Sequence, residues 1–259
     1  MPPQSQAQAG PERRRRGDER RAQSDAPRVS GRAQRRLAAE QAEKRKRLFL
    51  LGGAVAAALV VALILILLNR PPDLGAPVVA AEALPTSIPI DGQTMGAADA
   101  PVTLVEWADY TCPHCGEFTR SVEPNLVSQY VETGKVKFEF RDYAFLGPQA
   151  VRAAEAAACA ADQGAFWRYH DTLYLNQSGA GGFTDARLKN MAETLGLDTA
   201  KFNACLDNGT HQDAVQQSRL DGQKEGVNAT PSLFVNGTKV DWQGWDPLKQ
   251  AIDAALAKK

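Results

Sequence analysis

Residues 102–115 read Val-Thr-Leu-Val-Glu-Trp-Ala-Asp-Tyr-Thr-Cys-Pro-His-Cys, and the fold follows from this stretch. Val102 to Trp107 is a short apolar run rich in β-branched residues, which predicts a buried strand. Asp109-Tyr110-Thr111 leads out of it, and Pro113 suits the first position of a helix, where a missing N–H costs nothing. Phe118, Val122, Leu126, Val127 and Tyr130 continue at helical spacing, and Gly134 supplies a stop. Val136 to Phe140 alternates apolar with charged residues and reads as a second strand. Two cysteines, Cys112 and Cys115, therefore sit where a strand hands over to a helix.

Working toward the C-terminus, residues from about Pro148 to Gly226 are largely helical in pattern and alanine-rich at first. Thr184-Asp185 is a capping candidate, and the glycines of 179–182 divide the block in two. Ser232 to Val235 is a strand that turns at Asn236-Gly237, the strongest short hairpin signal, onto Val240-Asp241-Trp242. Asp246-Pro247 caps a last helix that ends near Ala257. The order is strand, helix, strand, helical block, hairpin, helix. That is an α/β chain with the arrangement of a thioredoxin core (residues 88–259) and a helical insertion over about 148–226.

Toward the N-terminus the composition changes twice. Of the 259 residues, the first 47 hold 14 Lys+Arg and 6 Asp+Glu, while the rest hold 16 and 24, so a net charge of zero conceals halves of about +8 and −8. Residues 1–47 have few large apolar side chains and predict a disordered, basic, solvated tail; Arg13 to Arg16 belong to it, with no nucleic-acid role expected. Leu48 to Leu68 is 21 residues without a charge. As a helix it spans about 31 Å, the thickness of a bilayer's hydrocarbon layer. A cleaved signal peptide has a shorter apolar region, so an uncleaved transmembrane anchor is expected. Lys44, Arg45, Lys46 and Arg47 on its N-terminal side put the N-terminus in the cytoplasm and residues 70–259 outside, a single-pass protein of the cell membrane. Residues 69–87, with Pro71, Pro72, Pro77 and Pro85, read as an extended linker.

The chain has four cysteines, Cys112, Cys115, Cys159 and Cys205. Cys112-Pro113-His114-Cys115 on a first helical turn brings two sulfurs within disulfide range. The exposed N–H groups and dipole of the helix N-terminus favour a thiolate at Cys112, and a protonated His114 would add positive charge; both lower its pKa from about 8.5. A low-pKa thiolate leaves readily and stabilises the reduced form, so the oxidised form becomes a disulfide donor. Zinc needs four ligands. The other candidates, Cys159, Cys205, His170 and His211, are not spaced as in any common zinc motif, so no metal is expected.

With these residues in view, Asp99-Ala100-Pro101-VTLVEWADYTCPHC, the helical block and Ala229-Thr230-Pro231-Ser232-Leu233-Phe234-Val235-Asn236-Gly237 resemble the DsbA-like branch of the thioredoxin superfamily over roughly residues 90–259. The resemblance implies thiol–disulfide interchange with Cys112 as nucleophile and Cys115 as resolving cysteine. It implies a cis-proline at Pro231, which with Thr230 docks the client backbone, and a buried acid at Glu106 that modulates proton transfer; a Glu at a strand end reaching solvent is the plain alternative. It implies no bound cofactor beyond the Cys112–Cys115 disulfide, clients that are exported proteins with free thiols, and a membrane reoxidase of the DsbB or VKOR kind. Thr230 departs from the Val of DsbA, which leaves the oxidising strength open, as between a disulfide donor, a reductase or isomerase, and a non-catalytic thioredoxin-fold module that docks exported partners. If Cys112 and Cys115 pair, Cys159 and Cys205 are left as a structural bridge, two free thiols or a second redox pair.

Overall fold

A computed structural model of the chain describes residues 31–69, 76–177 and 182–258. Arg13–Arg16, Pro71 and Pro72 lie outside these residues. The described residues divide into two units, 31–69 and 76–258.

The first unit is one helix, α1 (Gly31–Leu68), of 38 residues. It starts well before the apolar run and corrects the expectation of a structureless tail for residues 31–47. Ala, Arg, Gln, Glu, Lys and Leu dominate there, all good helix formers, and between Arg32 and Leu51 no Gly or Pro interrupts them. Mean hydropathy reaches 2.9 over its most apolar window, long and apolar enough to cross a membrane. Its large apolar side chains, Leu48 to Leu51 and Leu63 to Leu68 among them, are exposed rather than packed in a core.

The second unit is a six-stranded mixed sheet flanked by helices. Its strands are β1 (Ile90–Asp91), β2 (Thr94–Met95), β3 (Val102–Ala108), β4 (Val136–Asp142), β5 (Ser232–Val235) and β6 (Thr238–Val240), in the order β1-β2-β4-β3-β5-β6. β3 and β4 are parallel, and β5 runs antiparallel to β3. The crossover between β3 and β4 is the helix that begins at Pro113. It is not continuous as expected: α2 (Pro113–Ser121) ends at Val122, α3 (Glu123–Leu126) restarts the chain, and Val127–Val131 closes as a wider π-type turn. Pro124, which cannot donate to the preceding turn, accounts for the break. The insertion comprises α4 (Pro148–Ala161), α5 (Phe166–Leu175), α6 (Asp185–Thr194), α7 (Thr199–Asp207) and α8 (Gln212–Lys224), and α9 (Trp245–Leu256) closes the chain. Thr184 caps α6, its side chain accepting from the Arg187 N–H (3.3 Å). β6 is shifted toward the turn from the expected Val240-Asp241-Trp242, because the tight Asn236-Gly237 turn starts pairing at once, Val235 opposite Thr238.

Period-two alternation splits β3 between two layers. Leu104, Glu106 and Ala108 face the main core beside Phe138, Phe140 and Leu233, whereas Trp107 joins Tyr143 and Val227 on the other face.

Residues 76–85 correct the linker expectation. They are a strap bound to the insertion. The Arg187 guanidinium donates to the Ala76 carbonyl (2.7 Å). Val79 exchanges bonds with the Asn176 amide, its N–H donating (3.0 Å) and its carbonyl accepting (2.8 Å). The Ala81 N–H donates to Thr172 Oγ1 (3.0 Å), and Arg168 Nε donates to the Ala81 carbonyl (3.2 Å). Ala81 and Ile88 are buried. The proline-rich composition keeps the strap extended, and that extension leaves its backbone groups free to bond across to α5.

Candidate active site

The loop from β3 into α2 is held from three sides before any chemistry is considered. Asp109, buried, accepts from the Thr111 N–H (2.8 Å) and hydroxyl (2.6 Å) through Oδ1, an Asx turn, and from the Phe145 and Leu146 N–H groups (2.9 and 3.0 Å) through Oδ2. The Gln177 amide donates to the carbonyls of Tyr110 (2.9 Å) and Cys112 (2.6 Å). Gly116 leaves room for this clamp, since a Cβ there would collide with the Gln177 carbonyl oxygen. Gln177 follows α5, 65 positions from Cys112, and nothing in its sequence surroundings marks it. Asp109-x-Thr111 was a readable Asx signature.

Cys112 is the N-cap of α2 and Pro113 its first residue. Both cysteines are free thiols here. Cys112 lies at the surface edge of the core, 6% exposed, whereas Cys115 is fully buried. Across from them the Thr230–Pro231 peptide is cis, and Cys112 Sγ lies 3.4 Å from the Thr230 carbonyl. The structure thus brings together Cys112, Pro113, Cys115, Thr230 and Pro231.

The two thiols are electrostatically opposite. Cys112 is lowered to about 5, first by the hydrogen bond from Cys115, then, against the opposing effect of burial, by the Thr230 side chain and by the N–H groups of Cys115 and His114. Cys115 is driven far up by burial, by its donation to Cys112 and by the charge of Glu106. The His114 backbone N–H is among the groups that lower Cys112, and its imidazole is 73% exposed, 3.6 Å from Glu117.

Glu106 is fully buried, and neither carboxylate oxygen has a protein hydrogen-bond partner among the described residues. This decides against a strand-end Glu reaching water. Burial, reinforced by the Cys112 charge, raises its pKa well above the carboxylate range. Glu123, Tyr110 and Tyr174, also buried, lie close enough for the Glu106 charge to act on them. His170 is held in an aromatic cluster with Nδ1 2.8 Å from Asp171 Oδ1, in keeping with a packing residue.

Cys159 and Cys205 form a disulfide joining α4 to α7, with Cα atoms 5.9 Å apart. Their sulfurs are thereby withdrawn from metal binding, and His211 instead contacts Asp162 (2.8 Å).

Comparison with known proteins agrees with this geometry. A family model described as Thioredoxin matches residues 90–254. The probable disulfide bond formation protein D of Bacillus anthracis is 32% identical over 172 residues, covering 64% of this chain and 79% of that protein. A Na(+)/H(+) antiporter NhaA 3 of Salinispora tropica is 35% identical over 157 residues, but this chain spans only 23% of it. Among solved structures, oxidised BdbD from Bacillus subtilis superposes with a TM-score of 0.60 at 26% identity, over 70% of this chain and all of that one. The chain belongs to the DsbA-like thiol–disulfide oxidoreductases of the thioredoxin family.

Proposed function

We propose that the chain is an extracytoplasmic disulfide donor, anchored in the cell membrane by Leu48–Leu68, that oxidises exported proteins. The observation that carries this reading is the asymmetry of the pair: a Cys112 thiolate held near 5 beside a buried Cys115 held neutral. A stabilised thiolate stabilises the reduced dithiol, and a stable reduced form makes its disulfide a strong oxidant.

In the proposed reaction a client thiolate attacks Cys112 Sγ of the oxidised enzyme. The client–Cys112 bond forms, the Cys112–Cys115 bond breaks, and Cys115 leaves with the electron pair and takes a proton. The client lies along Thr230-Pro231. A second client thiolate then attacks the client sulfur, and Cys112 departs as a thiolate, an easy leaving group at its low pKa. The redox group is the cysteine pair itself. A membrane reoxidase of the DsbB or VKOR kind returns it to the disulfide. Glu106 serves Cys115 as proton donor and acceptor. The basic cluster Lys44–Arg47 supports a cytoplasmic N-terminus and an outward catalytic unit, in a compartment that permits disulfides.

Trapping tests the assignment. Cys115→Ala, presented with a protein thiol whose sulfur has been activated as a mixed disulfide, should accumulate a covalent adduct on Cys112, and Cys112→Ala should accumulate none. Equal trapping by both variants would show that Cys112 is not the nucleophile.

A further inference from the structure

A cleft of about 490 Å³ is walled by strap residues 80–85, α2, α3 and α5. Its charged lining is lopsided. Glu82, Glu123, Glu132 and Asp171 contribute to it, and Arg120 is the one basic side chain among the described residues that line it. Arg120 donates to the Tyr174 carbonyl (3.0 Å). Glu123 is the least solvated of the four acids, 4% exposed, and its Oε2 has no protein hydrogen-bond partner among the described residues. His170, one position before Asp171 on α5, is fully buried, with Nε2 likewise unpartnered and Nδ1 2.8 Å from Asp171 Oδ1. A carboxylate oxygen of Glu123, a ring nitrogen of His170 and a carboxylate oxygen of Asp171 all lie within 4.8 Å of one another.

The geometry points to a binding site for one divalent ion of the zinc class, held by Glu123, His170 and Asp171, with water from the cleft as its remaining ligand. Such an ion takes no part in the exchange at Cys112–Cys115, so the site stands whichever direction of disulfide transfer dominates. Charge, donor chemistry and spacing all support it. Buried carboxylates are costly unless they are paired or hold a cation. Among the described residues, the one ion-pair contact of either carboxylate is that of Asp171 with His170, while the charges of Asp171 and Glu106 both bear on Glu123. A dication answers the Glu123 and Asp171 charges together. One imidazole nitrogen and two carboxylate oxygens suit zinc, whereas calcium and magnesium take shells of oxygen alone. Three protein ligands with a water completing the shell are the make-up of an open zinc site. Bonds of about 2.1 Å at tetrahedral angles set ligand atoms about 3.4 Å apart, so a spread of at most 4.8 Å closes with side-chain shifts of about an ångström.

No short motif contains these ligands. The sequence set His170 beside Cys159 and Cys205 as zinc candidates, but those sulfurs are joined in a disulfide, and the fold supplies carboxylates to His170 instead. Glu123 opens α3 directly after the break at Val122, and His170 and Asp171 lie within α5. An ion held by all three fastens the broken crossover between β3 and β4 to the helical insertion, beside the strap that forms another wall of the cleft.

The test is zinc binding by the full chain in detergent, purified without a histidine tag. The protein is kept oxidised, because the thiolate of a reduced Cys112–Cys115 pair is itself a zinc ligand. Isothermal titration calorimetry should find one zinc site per chain in wild type. Glu123→Gln and Asp171→Asn each keep the side-chain shape and remove one ligand charge. Each should weaken binding by at least about tenfold, the loss that even a disturbed outer partner of a metal site brings. His211→Ala, which removes an imidazole remote from these ligands in sequence, should bind zinc as wild type does. Zinc should raise the melting temperature of wild type and leave that of both carboxamide variants where it was. Anomalous diffraction at the zinc edge from wild-type crystals locates the ion without any variant. Absence of zinc binding by wild type, unchanged affinity in both carboxamide variants, or an anomalous peak away from Glu123, His170 and Asp171 would overturn the site. Calcium binding as tightly as zinc would overturn the choice of ion. A wild type that binds zinc here yet oxidises no client would instead strike at the donor reading.

Discussion

Replacing Cys115 in the reduced protein probes the electrostatics of the site most sharply. The largest influence that lowers Cys112 to about 5 is the hydrogen bond from the Cys115 thiol, with Thr230 and the N–H groups of Cys115 and His114 behind it. A hydrogen bond to a charged acceptor contributes about 1.5–3 kcal/mol, and one pKa unit corresponds to about 1.36 kcal/mol. Cys115→Ala should therefore raise the Cys112 midpoint by about 1–2 units, into the range of about 6 to 7. Cys115→Ser keeps a donor and should stay near 5. Ultraviolet thiolate absorbance against pH reads each midpoint directly. The same bond has a stability consequence. The folded pKa lies below the unfolded thiol's value of about 8.5, so the thiolate stabilises the reduced fold fully above that value and loses its effect as pH falls through about 5. Between pH 7 and pH 4 the reduced protein should lose about 2 kcal/mol relative to the oxidised protein, a figure already lowered for solvent screening near the surface. Denaturant unfolding of the two redox forms measures this difference. An Ala variant that still titrates near 5 would transfer the effect from Cys115 to the helix N-terminus and refute the reasoning.

Two further outcomes follow from other parts of the molecule. Replacing Cys159 and Cys205 together opens a loop whose ends are 46 residues apart; on the chain-entropy model this removes on the order of 4 kcal/mol, seen as a lower melting temperature, while peptide oxidation at Cys112 persists. Loss of oxidation in a folded double variant would make the pair a redox relay. On cells stripped of their outer layers, added protease should digest residues 76–258 and spare the N-terminal segment; a protected catalytic unit would place the CPHC pair in a reducing cytosol and end the donor proposal.

What the sequence disclosed about the fold and the site, and what it withheld, divides by distance along the chain. Cys112, Pro113 and Cys115 are contiguous, and the strand before them and the helix after them follow local periodicity, so their placement was readable. Pro231 and the Cys159–Cys205 pair were readable through the family pattern and cysteine parity. The strap was not: an Ala- and Pro-rich segment looks like a spacer until Thr172, Asn176 and Arg187, some 90 to 110 residues on, are seen to bond its backbone. The hairpin β1–β2 was also missed, since strands of two residues each carry no periodicity. Glu123 reads as a helix-start acid, a surface residue by composition, yet it is buried near Asp171 and Tyr174 of α5, about 50 residues on.

The reduction potential of the Cys112–Cys115 couple tests the central claim most directly. Equilibration of the purified protein with defined glutathione ratios, read by trapping the thiols at each ratio, gives the value. A Cys112 thiolate near 5 beside a neutral Cys115 predicts a potential nearer the about −120 mV of a strong oxidant than the about −270 mV of thioredoxin. A value near −270 mV would contradict disulfide donation and make the chain a reductase.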